Sequence, residues 1–224
     1  CHASQEKLIR NSKHDLRVTA PAAENSRGKT VSHSGPCGAC HFTHEGSGPF
    51  MWARAWNGEE RTPAGVCASC HAEDACAGEA PVPETGHPMG VRSKNEKNAA
   101  EFPLYTDSGG KDKGGAVYCS SCHNTHRWDP LNPDNKGSKD EKGDGRNSFL
   151  RATNQNSRLC LGCHKEQEAL RKTDHDLSQA APEEKNLLGQ TPGQSGICGG
   201  CHLPHGGNPV LMWGRRLPEG DEPV

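Results

Sequence analysis

The chain has 224 residues, 31% of them hydrophobic with its 12 cysteines counted in, and only 4 Phe, 4 Trp and 2 Tyr; a typical domain is roughly 45–50% apolar, so ordinary side chains are too few to build its core. The formal net charge of −2 argues against nucleic acid as a partner, and no run of about 18 apolar residues marks a membrane span. With 27 glycines and 16 prolines, such a chain is either disordered or folded around something other than side chains.

The elements follow in chain order. Cys1-His2 opens the chain, and residues 4–10 read as a short helix. His14-Asp15-Leu16 comes next, then Cys37-Gly-Ala-Cys40-His41 with His44 three residues on, then Met51-Trp52. A second cluster, Cys67-Ala-Ser-Cys70-His71, is followed by a lone Cys76 and by Gly86-His87-Pro88. Residues 94–115 and 129–146 are polar and glycine-rich and read as exposed loops. Between them lies Cys119-Ser-Ser-Cys122-His123 with His126. A helical pattern spans 155–172 and carries Cys160-Leu-Gly-Cys163-His164. His175-Asp176-Leu177, Cys198-Gly-Gly-Cys201-His202 with His205, and Met212-Trp213 complete the series.

Twelve cysteines in a secreted chain would ordinarily suggest disulfides. Ten of these fall in five copies of C-x-x-C-H, the attachment motif of c-type haem. Two thiols three positions apart reach the two vinyl groups of one porphyrin and form thioethers. The next residue is then held under the iron as its proximal ligand. A redox dithiol or half a zinc site needs no histidine fixed at that place, so five copies with it point to haem. The proximal ligands are His41, His71, His123, His164 and His202.

Thirteen histidines are present, more than five irons need on one side. His44, His126 and His205 each stand three residues after a proximal histidine. A helical turn would bring the two imidazoles together, but both cannot serve one iron from the same side, so these three read as distal ligands of neighbouring haems. His14, His87 and His175 read as the remaining distal ligands. Asp15 and Asp176 either orient an imidazole or cap a turn. His33 has no counterpart elsewhere and reads as a surface histidine. Met51, Met89 and Met212 are axial ligands in principle, but the histidines suffice without them. Trp52 and Trp213 pack either on a porphyrin or between loops.

An internal repeat organises all of this. His14, Asp15, Leu16, Gly35, Cys37, Cys40, His41, His44, Gly46, Met51, Trp52 and Arg54 recur 161 residues later as His175, Asp176, Leu177, Gly196, Cys198, Cys201, His202, His205, Gly207, Met212, Trp213 and Arg215. Inside that period lies a shorter unit: a Cys-His, a lone histidine, then C-x-x-C-H-x-x-H. Its copies run from Cys1-His2 through His14 to His44, from Cys70-His71 through His87 to His126, and from Cys163-His164 through His175 to His205. On this pattern Cys1-His2 is the tail of a sixth motif in a longer polypeptide. The rival is a lipidated Cys1 at the start of a lipoprotein, with a membrane anchor; the repeat favours the first. Cys76 is either a free thiol or a disulfide partner.

The expected fold is mostly coil with a few short α-helices, little or no β-sheet, and porphyrins as the core. It divides into dihaem units at 1–66 (its first motif truncated), 67–159 and 160–224. The thioether cysteines are Cys37, Cys40, Cys67, Cys70, Cys119, Cys122, Cys160, Cys163, Cys198 and Cys201, for five haems c and a sixth at Cys1-His2.

The order His-Asp-Leu, C-x-x-C-H-x-x-H-x-Gly, a Trp segment, C-x-x-C-H and Gly-His-Pro resembles the doubled-CxxCH multihaem cytochromes. In particular it resembles the tetrahaem members that form extracellular cytochrome filaments. The resemblance implies stacked bis-histidine haems, long-range electron conduction, and an extracellular or cell-surface location, with the periplasm as the other non-cytoplasmic choice. It implies redox donors and acceptors as partners, and identical subunits where a filament forms. In such filaments the next subunit commonly supplies one distal histidine, a role open to His14 or His175. The expected function is electron transfer and not catalysis. The alternative is a multihaem nitrite, sulfite or hydroxylamine oxidoreductase, which needs an open iron; no C-x-x-C-K and no shortage of histidine favours it.

Overall fold

The computed structural model describes residues 2–10, 12–54, 63–72, 75–77, 82, 85–92, 101–126, 149–152, 154–208 and 211–216. Cys1, the loop expected at 129–146 and part of the one expected at 94–115 lie outside the described residues. The helices are α1 (Ala3–Ile9), α2 (Leu16–Thr19), α3 (Val31–Gly38), α4 (Pro63–His71), α5 (Cys119–Cys122), α6 (Arg158–Leu161), α7 (Leu177–Ala180) and α8 (Pro192–Gly199), with 3-10 turns at Gln155–Ser157 and Lys165–Leu170. The rest of the described chain is turn and coil. Its backbone pairing outside helices consists of isolated antiparallel bridges such as His41–Trp52 and His202–Trp213. Among the described residues the protein is therefore mostly coil with short helices and no sheet, in keeping with its composition. No helix among the described residues is long and apolar enough to cross a membrane.

Two compact units hold these elements. One takes in Cys1–Val82, Met89–Glu96 and Pro103–Trp128; the other takes in Pro83–Pro88, Lys97–Phe102 and Asp129–Val224. Among the described residues neither has a large side-chain core. Among the described residues the largest fully buried side chains are Val31, Asp15, Pro192 and Ser157. The first unit has one small apolar cluster, Tyr105, Ala116 and Tyr118, with Phe50 and Ala64 against it.

The helix expected at 4–10 is α1. The one expected at 155–172 is broken into three pieces. Asn156 and Ser157 take left-handed conformations, with φ of 53° and 57°, and His164 leaves helical geometry at φ −97° and ψ 54°. The attachment motif between these points needs a turn of its own, and the helical periodicity runs through it without revealing the breaks.

Polar side chains replace apolar packing in fixing the loops, and the 161-residue repeat keeps them. In the first unit buried Asn25 accepts from the amides of Arg27 and Lys29 at 3.0 and 3.2 Å and donates to the Gly38 carbonyl at 3.0 Å. In the second, buried Asn186 accepts from Leu188 and Gln190, both at 3.0 Å, and donates to Gly199 at 2.9 Å. Each asparagine thus ties a turn to the end of an attachment helix, α3 or α8. Both helices kink at a glycine with positive φ, Gly35 (73°) and Gly196 (78°), a conformation that costs glycine little.

Two stability outcomes follow. Asn25→Ala leaves the Gly38 carbonyl and two amides without their partner, so unfolding monitored by temperature or denaturant should show a loss of about 1–3 kcal/mol. At Gly46 an added Cβ would lie 2.5 Å from the Met51 backbone, which has no flexible end to move aside. Gly46→Ala should therefore cost about 1–3 kcal/mol, whereas Gly35→Ala, with nothing within 4 Å, meets only the positive-φ penalty.

Candidate functional site

Each attachment motif folds as a turn of helix. The His41 amide donates to the Cys37 carbonyl at 2.9 Å, and His123, His164 and His202 repeat this bond to Cys119, Cys160 and Cys198 at 2.9, 2.9 and 2.8 Å. The motif at Cys67–His71 lies wholly within α4. A turn closed four residues back stacks the first cysteine and the histidine on one face. That is the arrangement a thioether and an axial imidazole on one porphyrin require.

The chain then leaves the helix. His123 is extended at φ −107° and ψ 148°, and the Asn124 side chain accepts from the His126 amide at 3.1 Å. C-x-x-C-H-x-x-H is therefore not a continuing helix, and the second histidine is carried away from the first.

The structure pairs distant histidines instead. His41 and His126 have ring centroids 6.0 Å apart, His14 and His71 also 6.0 Å, and His87 and His164 6.3 Å. Two imidazoles bound to opposite sides of one metal ion, each by a bond of about 2 Å, hold their centroids about 6 Å apart. All three pairs stand at that separation, and each joins a motif histidine to one expected as distal.

The remaining predicted ligands lie in different settings. His44 and His175 are exposed; His205 is exposed too, with a backbone bridge to Gly86. His123 lies close enough to His14, and His202 close enough to His164, to lower the partner's proton affinity. The Met51 and Met212 carbonyls accept from Phe42 and Leu203 at 2.7 and 2.8 Å, which gives these residues a backbone role. The Met89 sulfur lies 3.3 Å from the Cys119 thiol.

Local hydrogen bonds set the imidazoles' tautomer. His41 Nδ1–H donates to the Phe50 carbonyl at 2.7 Å, and His202 Nδ1–H to the Leu211 carbonyl at 2.8 Å; these are the same bond 161 residues apart. His87 Nδ1–H reaches the Pro88 carbonyl at 3.1 Å. A carbonyl only accepts, so the proton sits on Nδ1 and the Nε2 lone pair is left to bind metal. Burial, with His71, His123 and His126 nearby, holds His14 down to about pKa 4. It is therefore neutral, as a ligand must be, above that pH.

The thiols also meet across motifs. Cys67 donates to Cys119, which raises the Cys67 pKa and lowers that of Cys119. A hydrogen bond from Cys160 pulls Cys198 down to about 6. Burial pushes Cys70 up to about 11, with Cys76 hydrogen-bonded beside it. In the first unit α4 packs on α5; in the second the turn Gln155–Ser157 packs on α8, where Ser157 Oγ accepts from the Cys198 amide at 3.0 Å.

Asp176 caps α7, accepting from the amide and hydroxyl of Ser178 and from the Lys172 amide at 3.2 Å, so the capping role holds there. Asp15 receives a bidentate pair from Arg17 at 2.8 Å. His33 Nδ1 lies 2.8 Å from the Thr30 hydroxyl. It occupies the place where Gln194 closes a capping box on Thr191 in the second copy, a helix-end role that residue type alone concealed. Asn25 and Asn186 were visible only through the 161-residue offset, which they share.

Residues 30–75 match the family model of the doubled CXXCH motif, a span that takes in the motifs at Cys37 and Cys67. No curated protein and no solved structure matches the chain. The residues fit the group this motif carries. Paired imidazoles stand at the spacing of a shared metal ion, Nε2 is free at His41, His87 and His202, and the side-chain core is sparse. Trp52 and Trp213 add a buried indole N–H apiece with no partner among the described residues. CXXCH motifs imply covalently bound haem c, and the doubled motif fits a multihaem c-type cytochrome.

Proposed function

We propose that the chain conducts electrons through a row of haems, each held by thioethers and two histidines, and that it does so in extracellular electron transfer as an electron-transfer protein, not an enzyme. Haem c, when bound, supplies one-electron redox chemistry at iron. The observation that carries the reading is the 6.0–6.3 Å separation of His14–His71, His41–His126 and His87–His164. With haem bound, a pair at that spacing would supply two histidine ligands to one iron, which would leave no site for substrate. His44, His175 and His205 are distal ligands of irons outside these three pairs. Two imidazoles also favour a low potential compared with the His/Met set.

The touching thiols support the dihaem units at 67–159 and 160–224, with 1–66 built around Cys37–His41. Helices that meet at their attachment cysteines bring two porphyrin edges close, and electron tunnelling falls steeply with distance.

The pairing is staggered. His14 stands before the motif at Cys37 but meets His71, which opens the next repeat. His87 stands before the motif at Cys119 but meets His164, which opens the one after. His175 is the third member of this series. It shares the local scaffold of His14, since the His14 amide donates to Ser12 Oγ at 3.1 Å and the His175 amide to Thr173 Oγ1 at 3.3 Å. His14 is nevertheless covered while His175 is exposed. By the same rule its iron belongs to a further repeat, in the same polypeptide or in an identical subunit, and this supports a filament. Covalent haem attachment belongs to compartments outside the cytoplasm, so the chain works at the cell surface or beyond it, or in the periplasm, between redox donors and acceptors.

His126→Met should leave the number of haems unchanged in a denaturing intact-mass measurement while raising one midpoint potential in a spectroelectrochemical titration. His14→Gly should turn one ferric iron high-spin by electron paramagnetic resonance, with a second iron unaffected by the change. Turnover of nitrite, sulfite or hydroxylamine by the native protein would replace the electron-transfer reading with a catalytic one.

A further inference from the structure

The 161-residue repeat places Trp52 and Trp213 beside the proximal histidines His41 and His202. The two rings lie differently. Trp52 stacks on His41 at 5.0 Å and 21°, whereas Trp213 meets His202 edge-on at 5.8 Å and 82°. The backbone around them is the same in both copies. Phe50 and Leu211 supply the carbonyl that holds the proximal Nδ1–H, and the amides of Ala53 and Gly214 bond to the carbonyls of Cys40 and Cys201 at 2.8 and 2.6 Å. The other shared feature is the indole nitrogen. Trp52 Nε1 and Trp213 Nε1 are both closed to solvent and both lack a hydrogen-bond partner. A buried N–H is nearly always paired, and the same orphan at two equivalent sites is not an accident of one loop. Ring orientation differs between the copies, so stacking alone does not explain why both are tryptophan; the N–H is what they keep in common.

We infer that Trp52 and Trp213 donate their indole N–H to a propionate carboxylate of the haem attached through Cys37 and Cys40, and through Cys198 and Cys201, respectively. This rests on the haem-attachment reading above. A haem's four pyrrole nitrogens are bound to iron, so its propionates are the strong hydrogen-bond acceptors it would bring to a neighbouring N–H donor. An indole N–H has no acceptor capacity and cannot be deprotonated at ordinary pH, which makes it a one-way partner for an anion. A donor to a carboxylate also makes a stronger bond than one to a neutral group. Each tryptophan would thus hold a propionate in place beside its thioether-anchored porphyrin and withdraw charge from it.

The test uses the intact holoprotein. Its haem content is first counted by denaturing intact mass; a chain without covalent haem would end the attachment reading itself, separately from this inference. The reduced, low-spin protein is then labelled with ¹⁵N-tryptophan, and nuclear Overhauser contacts are recorded from its indole N–H protons. Two of the four tryptophans should show contacts to propionate methylene protons, and Trp52→Phe and Trp213→Phe should each remove one set. Each variant should also lower the midpoint potential of one haem, because the propionate regains negative charge that favours ferric iron. Indole N–H contacts only to water or to protein groups, with no propionate contact in the wild type, would overturn the inference. So would a Phe variant that keeps its haem count and leaves every midpoint potential unchanged. The wild-type contacts decide the matter even where a variant fails to take up haem.

Discussion

A single backbone bond sets the geometry on which everything else hangs: the amide of a motif histidine donating to the carbonyl of the cysteine four residues before it. It turns C-x-x-C-H into one turn of helix and presents thiols and imidazole to the same side. Because a single turn is poorly stable alone, each needs outside support. In the first unit α3 is held by Asn25 through the Gly38 carbonyl, and in the second α8 is held by Asn186 through Gly199. The loops that follow return to close Phe50 and Leu211 over the proximal imidazoles. Glycine at 46 and at 207 is part of the same construction, since the loop backbone passes where a Cβ would be. Attachment, imidazole orientation and loop closure are therefore one local assembly, made twice.

Much of this was legible before any coordinates. The fold class followed from too few apolar residues, and the doubled CXXCH motif matched at residues 30–75 was visible as a repeated spacing. The 161-residue period marked equivalent positions, and the structure keeps that equivalence down to individual hydrogen bonds. The helix at 4–10 was visible because nothing interrupts its periodicity.

What stayed hidden was hidden for physical reasons. Which histidine faces which cannot be read from spacing, because partners such as His41 and His126 belong to different copies of the motif and meet only through tertiary structure. The short H-x-x-H spacing suggests a helical neighbour, yet His123 is extended and the chain turns away. At 155–172 the composition favours helix, but left-handed Asn156 and Ser157 interrupt it to start an attachment turn. His33 resembles a ligand by type and serves a helix end by position. Asn25 and Asn186 look like ordinary turn residues until their burial and three hydrogen bonds each are seen.

The staggered pairing of imidazoles has a topological consequence. An iron shared by His41 and His126, or by His87 and His164, would be a cross-link between segments far apart in sequence, and each would close a long loop. Closing long loops removes much of the freedom of the unfolded chain, so a polypeptide with little apolar core would gain from such links the restraint that disulfides give small secreted domains. The links also interlock: the loop closed at His71 overlaps the one closed at His126.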